Sequence, residues 1–377
     1  MPNKYIGIDI LRTLACSLVL MAHCCECYYI SNFYASGSVE TLDISAWQSE
    51  ALWAGIIGSV CRTCVPLFVM ISGFLLLPMK TGMDMLTFYR RRASRILIPL
   101  ALWTVVYAFY TAVHFSVPIS NIGDLAAYVV KQCAYFFVNF PPAIGHLWYV
   151  YMVLGLYLFI PVISPWVERA SRREMHIFLG IWLVSMLTPF IHKVWPEIWG
   201  ECYWNPNSTV YYFSGFLGYL IAGAYARKYL LNTTRSYVAT GIILLAIGYA
   251  GALGGFIYQL YNLTPTGENY GRYFEEFEFT WFFNIITVCL ETIGLFLIFF
   301  KSKVQRLPYF MADYSRLSYG IYLCHIMFLT WFYEHIFITL TWPVPVKIIC
   351  MAVMTIVTSY VLIKLLSRVP KLKDYIG

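Results

Sequence analysis

Ten long apolar segments dominate the sequence and constrain its fold more than any other feature. A helix needs about 20 mostly apolar residues to cross a membrane. The segments of that length are 8–30, 51–77, 93–115, 144–164, 175–195, 209–227, 236–261, 278–300, 317–340 and 343–367. They predict an all-α, polytopic integral-membrane bundle of about ten transmembrane helices. No long polar segment interrupts them, so we expect residues 1–377 to form a single transmembrane domain.

A further segment, 119–140, is apolar but is punctuated by Gly, Asn and Asp. It fits either another span or a helix that lies at the membrane interface.

The composition excludes most classes of soluble protein. Apolar residues make up 60% of the chain and charged residues only 12%, about half of the charged share in an average soluble protein. A soluble enzyme and a disordered chain are therefore excluded. The net charge of +7 comes from short basic runs between apolar segments, which is typical of membrane proteins and gives no reason to expect a nucleic-acid partner.

The distribution of basic residues predicts that both chain ends are cytoplasmic. With the N-terminus inside, all but five of the 26 Lys and Arg residues lie at the inner side, as the positive-inside rule requires. The five outer ones are Arg62, Lys131, Lys193, Arg272 and Lys347, and the outer loops carry the acids Glu40, Asp43, Glu50, Glu268, Glu275, Glu276 and Glu278. Helical spans exclude the outer membrane, so we expect the bacterial inner membrane.

Most of the eleven cysteines lie in apolar segments, where a reduced Cys is a small hydrophobic residue. Two Cys-x-x-Cys pairs, Cys24/Cys27 and Cys61/Cys64, have a spacing that could bind Zn²⁺. Packing is the better interpretation of helical Cys in such a chain, and no metal is expected.

The first segment contains several ionisable residues, which are expensive at membrane depth. Arg12 and His23 are eleven residues apart; on a helix this places them on one face, about 16 Å apart along the axis. Glu26, three residues after His23, can orient or charge the ring. One interpretation is an anion-binding group below a titratable imidazole. The alternative is Arg12 paired with Asp9 and a packed, hydrogen-bonded histidine.

Two further groups of arginines could take part in chemistry. Arg62 lies inside the second span at about the depth of His23, where a cation could stabilise a developing oxyanion; alternatively it forms a salt bridge with Glu26. Arg92 and Arg95 share one helix face at the cytoplasmic side, and guanidinium groups bind phosphate bidentately. Their alternative role is the topogenic charge of any inner loop.

Other polar residues mark the later spans. Ser318, Tyr322 and His325 are spaced by four and three residues, so they form one polar stripe facing the bundle. His146 opens the fourth span at the outer surface, where an interfacial or structural histidine is the usual case. We take His146, Tyr322 and His325 as candidate substrate-binding residues. Glu291 has no obvious partner.

Five segments in this order resemble the membrane acyltransferase-3 family, and in particular its shorter members that O-acetylate surface polysaccharides. They are IDILRTLACSLVLMAH, RTCVPLFVMISGFLL, FYRRRASRILIPL, HLWYVYMVLGLYLFIPVI and SYGIYLCHIMF. The first contains the family's Arg-x10-His pattern as Arg12 and His23. Many members have a Glu after the Leu-Trp of the fourth span; YVYMVLGLY has no carboxylate there, so Glu26 is the candidate catalytic carboxylate.

The resemblance implies a ten-helix enzyme that moves an acyl group, expected to be acetyl, from cytoplasmic acyl-CoA to a hydroxyl of a surface or lipid-linked glycan. Acetyl-CoA is the expected donor co-substrate, and membrane lipid surrounds the chain. His23 is then the general base, and Arg12, Arg92 and Arg95 hold the CoA phosphates. The role of Arg62 as oxyanion stabiliser is inferred from depth and charge.

Two other functions fit parts of the sequence. Buried His and Glu also suit an exporter of a sugar, an amino acid or an acylated small molecule. The glycine-rich GYAGALGG of the seventh span has no counterpart in the first half, as an inverted repeat would require. A sensor that has lost catalysis is a third alternative, and the intact Arg12/His23 pair argues against it.

Overall fold

The computed structural model describes residues 5–35, 37, 41–114, 119–199, 208–266, 273–370, 372 and 375–376. Glu40, Glu268 and Arg272, named above for the orientation, lie outside these residues. The described part of the chain contains helices and no β-strand, which confirms the all-α prediction.

In the part of the chain that the structure describes, the α-helices follow one another in this order: α1 (Ile6–Glu26), α2 (Asn32–Ala35), α3 (Ile44–Cys61), α4 (Cys64–Leu76), α5 (Met85–His114), α6 (Ile122–Ala134), α7 (Trp148–Arg169), α8 (Arg172–Ser185), α9 (Thr188–Val194), α10 (Leu217–Tyr225), α11 (Val238–Asn262), α12 (Tyr273–Phe277), α13 (Ile286–Phe299), α14 (Tyr309–Phe332) and α15 (Val344–Leu366). π-Helical segments follow α1, α10 and α14, at Cys27–Ser31, Ala226–Leu230 and Tyr333–Phe337 respectively.

Within the described ranges, eight helical segments are long and apolar enough to cross a membrane. They are Ile6–Ala35, Ile44–Leu76, Met85–His114, Ile144–Arg169, Arg172–Val194, Val238–Asn262, Phe279–Phe299 and Val344–Leu366, and they coincide with eight of the ten predicted spans. The chain is therefore a multi-pass membrane protein.

The other two predicted spans coincide with helices outside this group of eight. Segment 209–227 contains the nine-residue α10, which ends in the π-helical segment Ala226–Leu230. Segment 317–340 falls on the 24-residue α14 and on its π-helical extension. The helix α14 is rich in Tyr and Ser.

Segment 119–140 contains α6, a helix of 13 residues with no buried side chain. A span needs about 20 residues, so α6 is too short to cross. Of the two interpretations left open by the sequence, the structure favours the interfacial helix.

The chain divides into two compact units. The first consists of Met1–Pro78, Ser164–Ser315 and Leu340–Ala352. Within it, α4 packs against α10 through two glycines: a Cβ at Gly73 would lie 1.8 Å from the Leu220 carbonyl oxygen, and one at Gly223 would lie 2.0 Å from that of Met70. Small residues allow such close backbone approach between membrane helices.

The second unit consists of Met79–Ile163, Arg316–Thr339 and Val353–Gly377. Its core includes Tyr107, Leu147, Ile321 and Ile363, all fully buried. Tyr319 donates a hydrogen bond to the Ile96 carbonyl at 3.0 Å and so ties α14 to α5.

Candidate active site

A histidine and a glutamate meet in the last turn of α1, within the first unit. His23 Nδ1 lies 2.6 Å from Glu26 Oε2, a contact that the spacing of three residues on a helix allows. An ionised carboxylate only accepts hydrogen bonds, so Nδ1 is the donor, and a neutral ring then carries its lone pair on Nε2. Both side chains are partly exposed, at 21% and 26%. The pair has the form of a base whose tautomer is fixed by a neighbouring carboxylate.

Arg62 joins this pair to a second carboxylate. Its Nη1 lies 3.5 Å from Glu26 Oε1, and its Nη2 lies 3.0 Å from Glu278 Oε1. The same Nη2 donates to the Tyr29 hydroxyl at 2.6 Å, and Tyr29 donates to Glu278. The guanidinium carbon lies 4.7 Å from the ring centre of Trp281. One buried cation therefore holds together two carboxylates, a phenol and an indole.

The backbone around Arg62 explains how the side chain reaches these partners. α3 ends at Cys61 and α4 begins at Cys64, so Arg62 occupies a break in the helix. Pro66 has no N–H and cannot bond to the Arg62 carbonyl, as an uninterrupted helix would require. Tyr29 lies in the π-helical segment Cys27–Ser31, a geometry frequent at functional sites.

The salt bridge between Arg62 and Glu26, left open by the sequence, is present, and three further members of the cluster were missed. Glu278 was assigned only to the acidic outer loop, and Tyr29 and Trp281 were not singled out. The available signal was the position of Glu278, an acid at the first residue of the predicted span 278–300. Its partner Arg62 is 216 residues away in the sequence, and spacing rules cannot connect residues so far apart.

Arg12 lies on the same helix as His23, as predicted. Its Nη1 is 3.5 Å from Asp9 Oδ1, which is the ion pair that the alternative interpretation proposed. The Ser315 hydroxyl also bonds to Asp9, at 3.3 Å. The Arg12 side chain keeps 29% of its surface exposed, so pairing with Asp9 leaves it accessible.

The second unit holds the other predicted basic site. Arg92 and Arg95 lie three residues apart on α5; Arg92 is half-buried and Arg95 is exposed. The Arg92 guanidinium lies 5.7 Å from the ring of Phe88. Among the described residues, neither arginine forms an ion pair with an acid, in contrast to Arg12 and Arg62.

The three candidate substrate-binding residues come together inside the second unit. The His146 ring centre lies 5.4 Å from that of His325 and 5.8 Å from that of Tyr322. Tyr322 donates to the His146 carbonyl, and His325 Nδ1 lies 2.5 Å from the Tyr322 carbonyl oxygen. His146 is 7% exposed and His325 is fully buried. Of the interfacial and structural roles expected for His146, its burial among aromatic rings favours the structural one.

The cysteines of both Cys-x-x-Cys pairs are buried, and none is in a disulfide. Over the described ranges, the structure contains no group of three or more His, Cys, Asp or Glu residues arranged to hold a metal ion.

Comparison with known proteins agrees with the resemblance seen in the sequence. A family model described as an acyltransferase domain, of the acyltransferase-3 type, matches residues 5–364. The match covers nearly the whole chain, so the protein belongs to this family of membrane acyltransferases. No curated protein and no solved structure gives a match.

Proposed function

We propose that the protein is an O-acyltransferase of the bacterial inner membrane that transfers an acyl group from cytoplasmic acyl-CoA to a hydroxyl of a surface or lipid-linked glycan. Acetyl is the proposed acyl group. The single observation that carries the proposal is the hydrogen bond of 2.6 Å between His23 and Glu26 in the last turn of α1, on the same helix as the accessible Arg12.

In the proposed reaction, His23 Nε2 removes the proton of the acceptor hydroxyl while the hydroxyl oxygen attacks the thioester carbonyl carbon. The resulting tetrahedral oxyanion collapses and the carbon–sulfur bond breaks. The CoA sulfur then takes from the imidazolium the proton that the acceptor hydroxyl had lost. The products are an ester and free CoA. A transient acyl-imidazole at His23 is the alternative route to the same products.

The charges around His23 suit this proton transfer. Arg62 faces two carboxylates, Glu26 and Glu278, so one negative charge is left over when His23 is neutral. When the ring accepts the proton, Glu26 lies 2.6 Å away to pair with it, and the cluster becomes neutral. Positive charge on the ring is thus matched by a fixed countercharge rather than by solvent.

These contacts favour a positioning role for Arg62 over direct stabilisation of the oxyanion. Both Nη atoms are directed to carboxylates, and Nη2 also bonds to Tyr29. A guanidinium with these partners holds Glu26 Oε1 while Glu26 Oε2 holds the imidazole. Oxyanion stabilisation remains the second proposal for this residue.

Arg12, Arg92 and Arg95 are proposed to bind the phosphates of CoA. The support for Arg92 and Arg95 is the lack of acidic partners among the described residues, which leaves their donors for an anionic ligand. His146, Tyr322 and His325 are proposed to contact the acceptor.

The test is transfer of label from radiolabelled acetyl-CoA to membrane glycan by the purified protein in lipid nanodiscs. His23→Gln should abolish transfer, whereas His176→Gln, at an exposed histidine of α8, should retain it. Both variants must elute as the wild type does in size-exclusion chromatography. If the wild type neither binds nor consumes acetyl-CoA, the exporter becomes the better interpretation.

A further inference from the structure

An open cavity of about 600 Å³ lies within the second unit, separate from the residues assigned above. Its lining residues are Tyr110, Val113, His114, Trp331, Glu334 and His335. The volume is within the range of small-molecule binding sites. The lining comes from the last turns of α5 and from α14 with its π-helical extension Tyr333–Phe337.

The predicted orientation places this cavity at the outer side of the membrane. α5 begins at the basic cytoplasmic cluster and ends at His114, and α14 follows the inner residues Lys301 and Lys303 and reaches Trp331 near its end. The directions of α5 and α14 therefore each place the cavity at the outer side.

Two histidine–aromatic stacks line the cavity. The ring of His335 lies parallel to that of Trp331, with centres 5.0 Å apart and planes inclined by 13°. The ring of His114 lies parallel to that of Tyr110, with centres 5.1 Å apart and planes inclined by 10°. Trp331 remains 50% exposed, so stacking on one face leaves much of the indole available.

Hydrogen-bonding groups are fixed between these stacks. His114 Nε2 lies 3.4 Å from Glu334 Oε1, a contact that joins α5 to the π-helical segment. His335 Nδ1 bonds to the Trp331 carbonyl at 3.0 Å, which leaves Nε2 as the atom that can bond to a ligand. The Glu334 side chain keeps 40% of its surface exposed.

The chemistry of the lining selects among ligand classes. Among the residues that the structure describes, no Lys or Arg lines the cavity, so it lacks the cations that phosphate or sulfate requires. A purely apolar ligand would cover the exposed Glu334 carboxylate and His335 Nε2 without giving either a hydrogen bond. A neutral polyhydroxylated ring matches both features, because its C–H faces stack on aromatic side chains and its hydroxyls bond to carboxylate and imidazole.

We propose that this cavity is a saccharide-binding subsite that recognises sugar residues of the acceptor at the outer face. Its identification as part of the acceptor site rests on the proposed function, whereas saccharide binding itself does not. The subsite would explain how a small acyl-transfer centre selects one glycan among many.

The experiment measures binding of the full-length protein in nanodiscs to an array of neutral oligosaccharides built from hexoses and N-acetylhexosamines. Wild type should be retained on a subset of them. Trp331→Ala should weaken that binding about tenfold or more, as expected for loss of an aromatic anchor. Trp331→Phe should retain most of it, and Glu334→Gln should weaken it less than Trp331→Ala does.

The matched control is Trp342→Ala, because Trp342 is 48% exposed and precedes α15 at the same predicted side. This variant should bind as the wild type does. The proposal is overturned if the wild type binds no array oligosaccharide, if Trp331→Ala binds as tightly as wild type, or if Trp342→Ala loses binding equally.

The subsite and the proposed function can fail separately. If His23→Gln binds the oligosaccharides normally but does not transfer label, both stand. If the wild type binds oligosaccharides and does not consume acetyl-CoA, the subsite stands and the acyltransferase proposal fails. If transfer is normal in Trp331→Ala and binding is unchanged, the subsite fails alone.

Discussion

Arg62 can act in two ways, and a double-mutant cycle separates them. If it positions Glu26, its contribution to catalysis disappears once Glu26 is removed. If it binds the oxyanion directly, its contribution is independent of Glu26. Removing Arg62 alone would leave the half-buried Glu278, whose side chain is 17% exposed, without its cation, and such an unpaired charge destabilises the fold. We therefore remove Arg62 and Glu278 together, as Arg62→Gln/Glu278→Gln, which conserves net charge.

The structure sets the size of the expected coupling. Arg62 Nη1 and Glu26 Oε1 are 3.5 Å apart, and two unit charges at that distance interact by roughly 5 kcal/mol at an effective dielectric constant of about 20. Measured coupling energies for close charge pairs begin near 1.5 kcal/mol, because desolvation offsets much of the attraction. Since Glu26 is 26% exposed, we expect a coupling of about 1.5 kcal/mol in transition-state free energy, or about tenfold in rate.

The assay compares kcat/KM for acetyl transfer across four proteins: wild type, Glu26→Gln, the double variant Arg62→Gln/Glu278→Gln, and the triple variant. We expect Glu26→Gln to reduce the rate about tenfold less in the double-variant background than in wild type. Additivity within about 0.5 kcal/mol would refute the positioning role and favour direct contact between Arg62 and the oxyanion. Thermal midpoints in detergent check that all four proteins remain folded.

Two further predictions concern groups outside this cluster. Arg92→Ala and Arg95→Ala should each weaken acetyl-CoA binding about tenfold, since each loses a charge-assisted phosphate contact. The control Arg169→Ala, at the exposed end of α7, should bind acetyl-CoA normally. Equal affinity of all three variants for acetyl-CoA would mean that Arg92 and Arg95 are only topogenic. Glu291 is fully buried, and neither carboxylate oxygen has a hydrogen-bond partner in the described part of the chain. Glu291→Met should therefore stabilise the fold by about 1–3 kcal/mol, seen as a higher thermal midpoint, and a lower midpoint would contradict this.

The sequence predicts the membrane helices well because hydropathy reports directly on burial in lipid. It fails where the backbone, rather than the composition, decides the length of a helix. Residues 209–227 are mostly apolar, yet α10 begins only at Leu217 because Gly215 adopts a φ of +81° that no regular helix continues through. The break at Arg62 is equally invisible to hydropathy, since the surrounding segment reads as one apolar run.

The candidate site was predictable only where one helix carries it. His23, Glu26 and Arg12 share α1, so the helical period alone predicts their faces and the contact of His23 with Glu26. The stripe of Tyr322 and His325 was predicted for the same reason. His146 reaches this stripe from a segment 176 residues away, and no periodicity connects the two.

The position of Glu278 shows why the long-range contacts matter for the chemistry. An imidazole with one carboxylate would be oriented by α1 alone, and the flexible Glu26 side chain could turn away from it. Arg62 prevents this by fixing Oε1 of Glu26, and Glu278 with Tyr29 fixes Arg62 in turn. The geometry of the proposed base therefore depends on the connection between α12 and α13 as much as on α1. Substitutions near Glu278 should consequently alter acyl transfer. This is expected although Glu278 itself makes no contact with His23 in the proposed reaction.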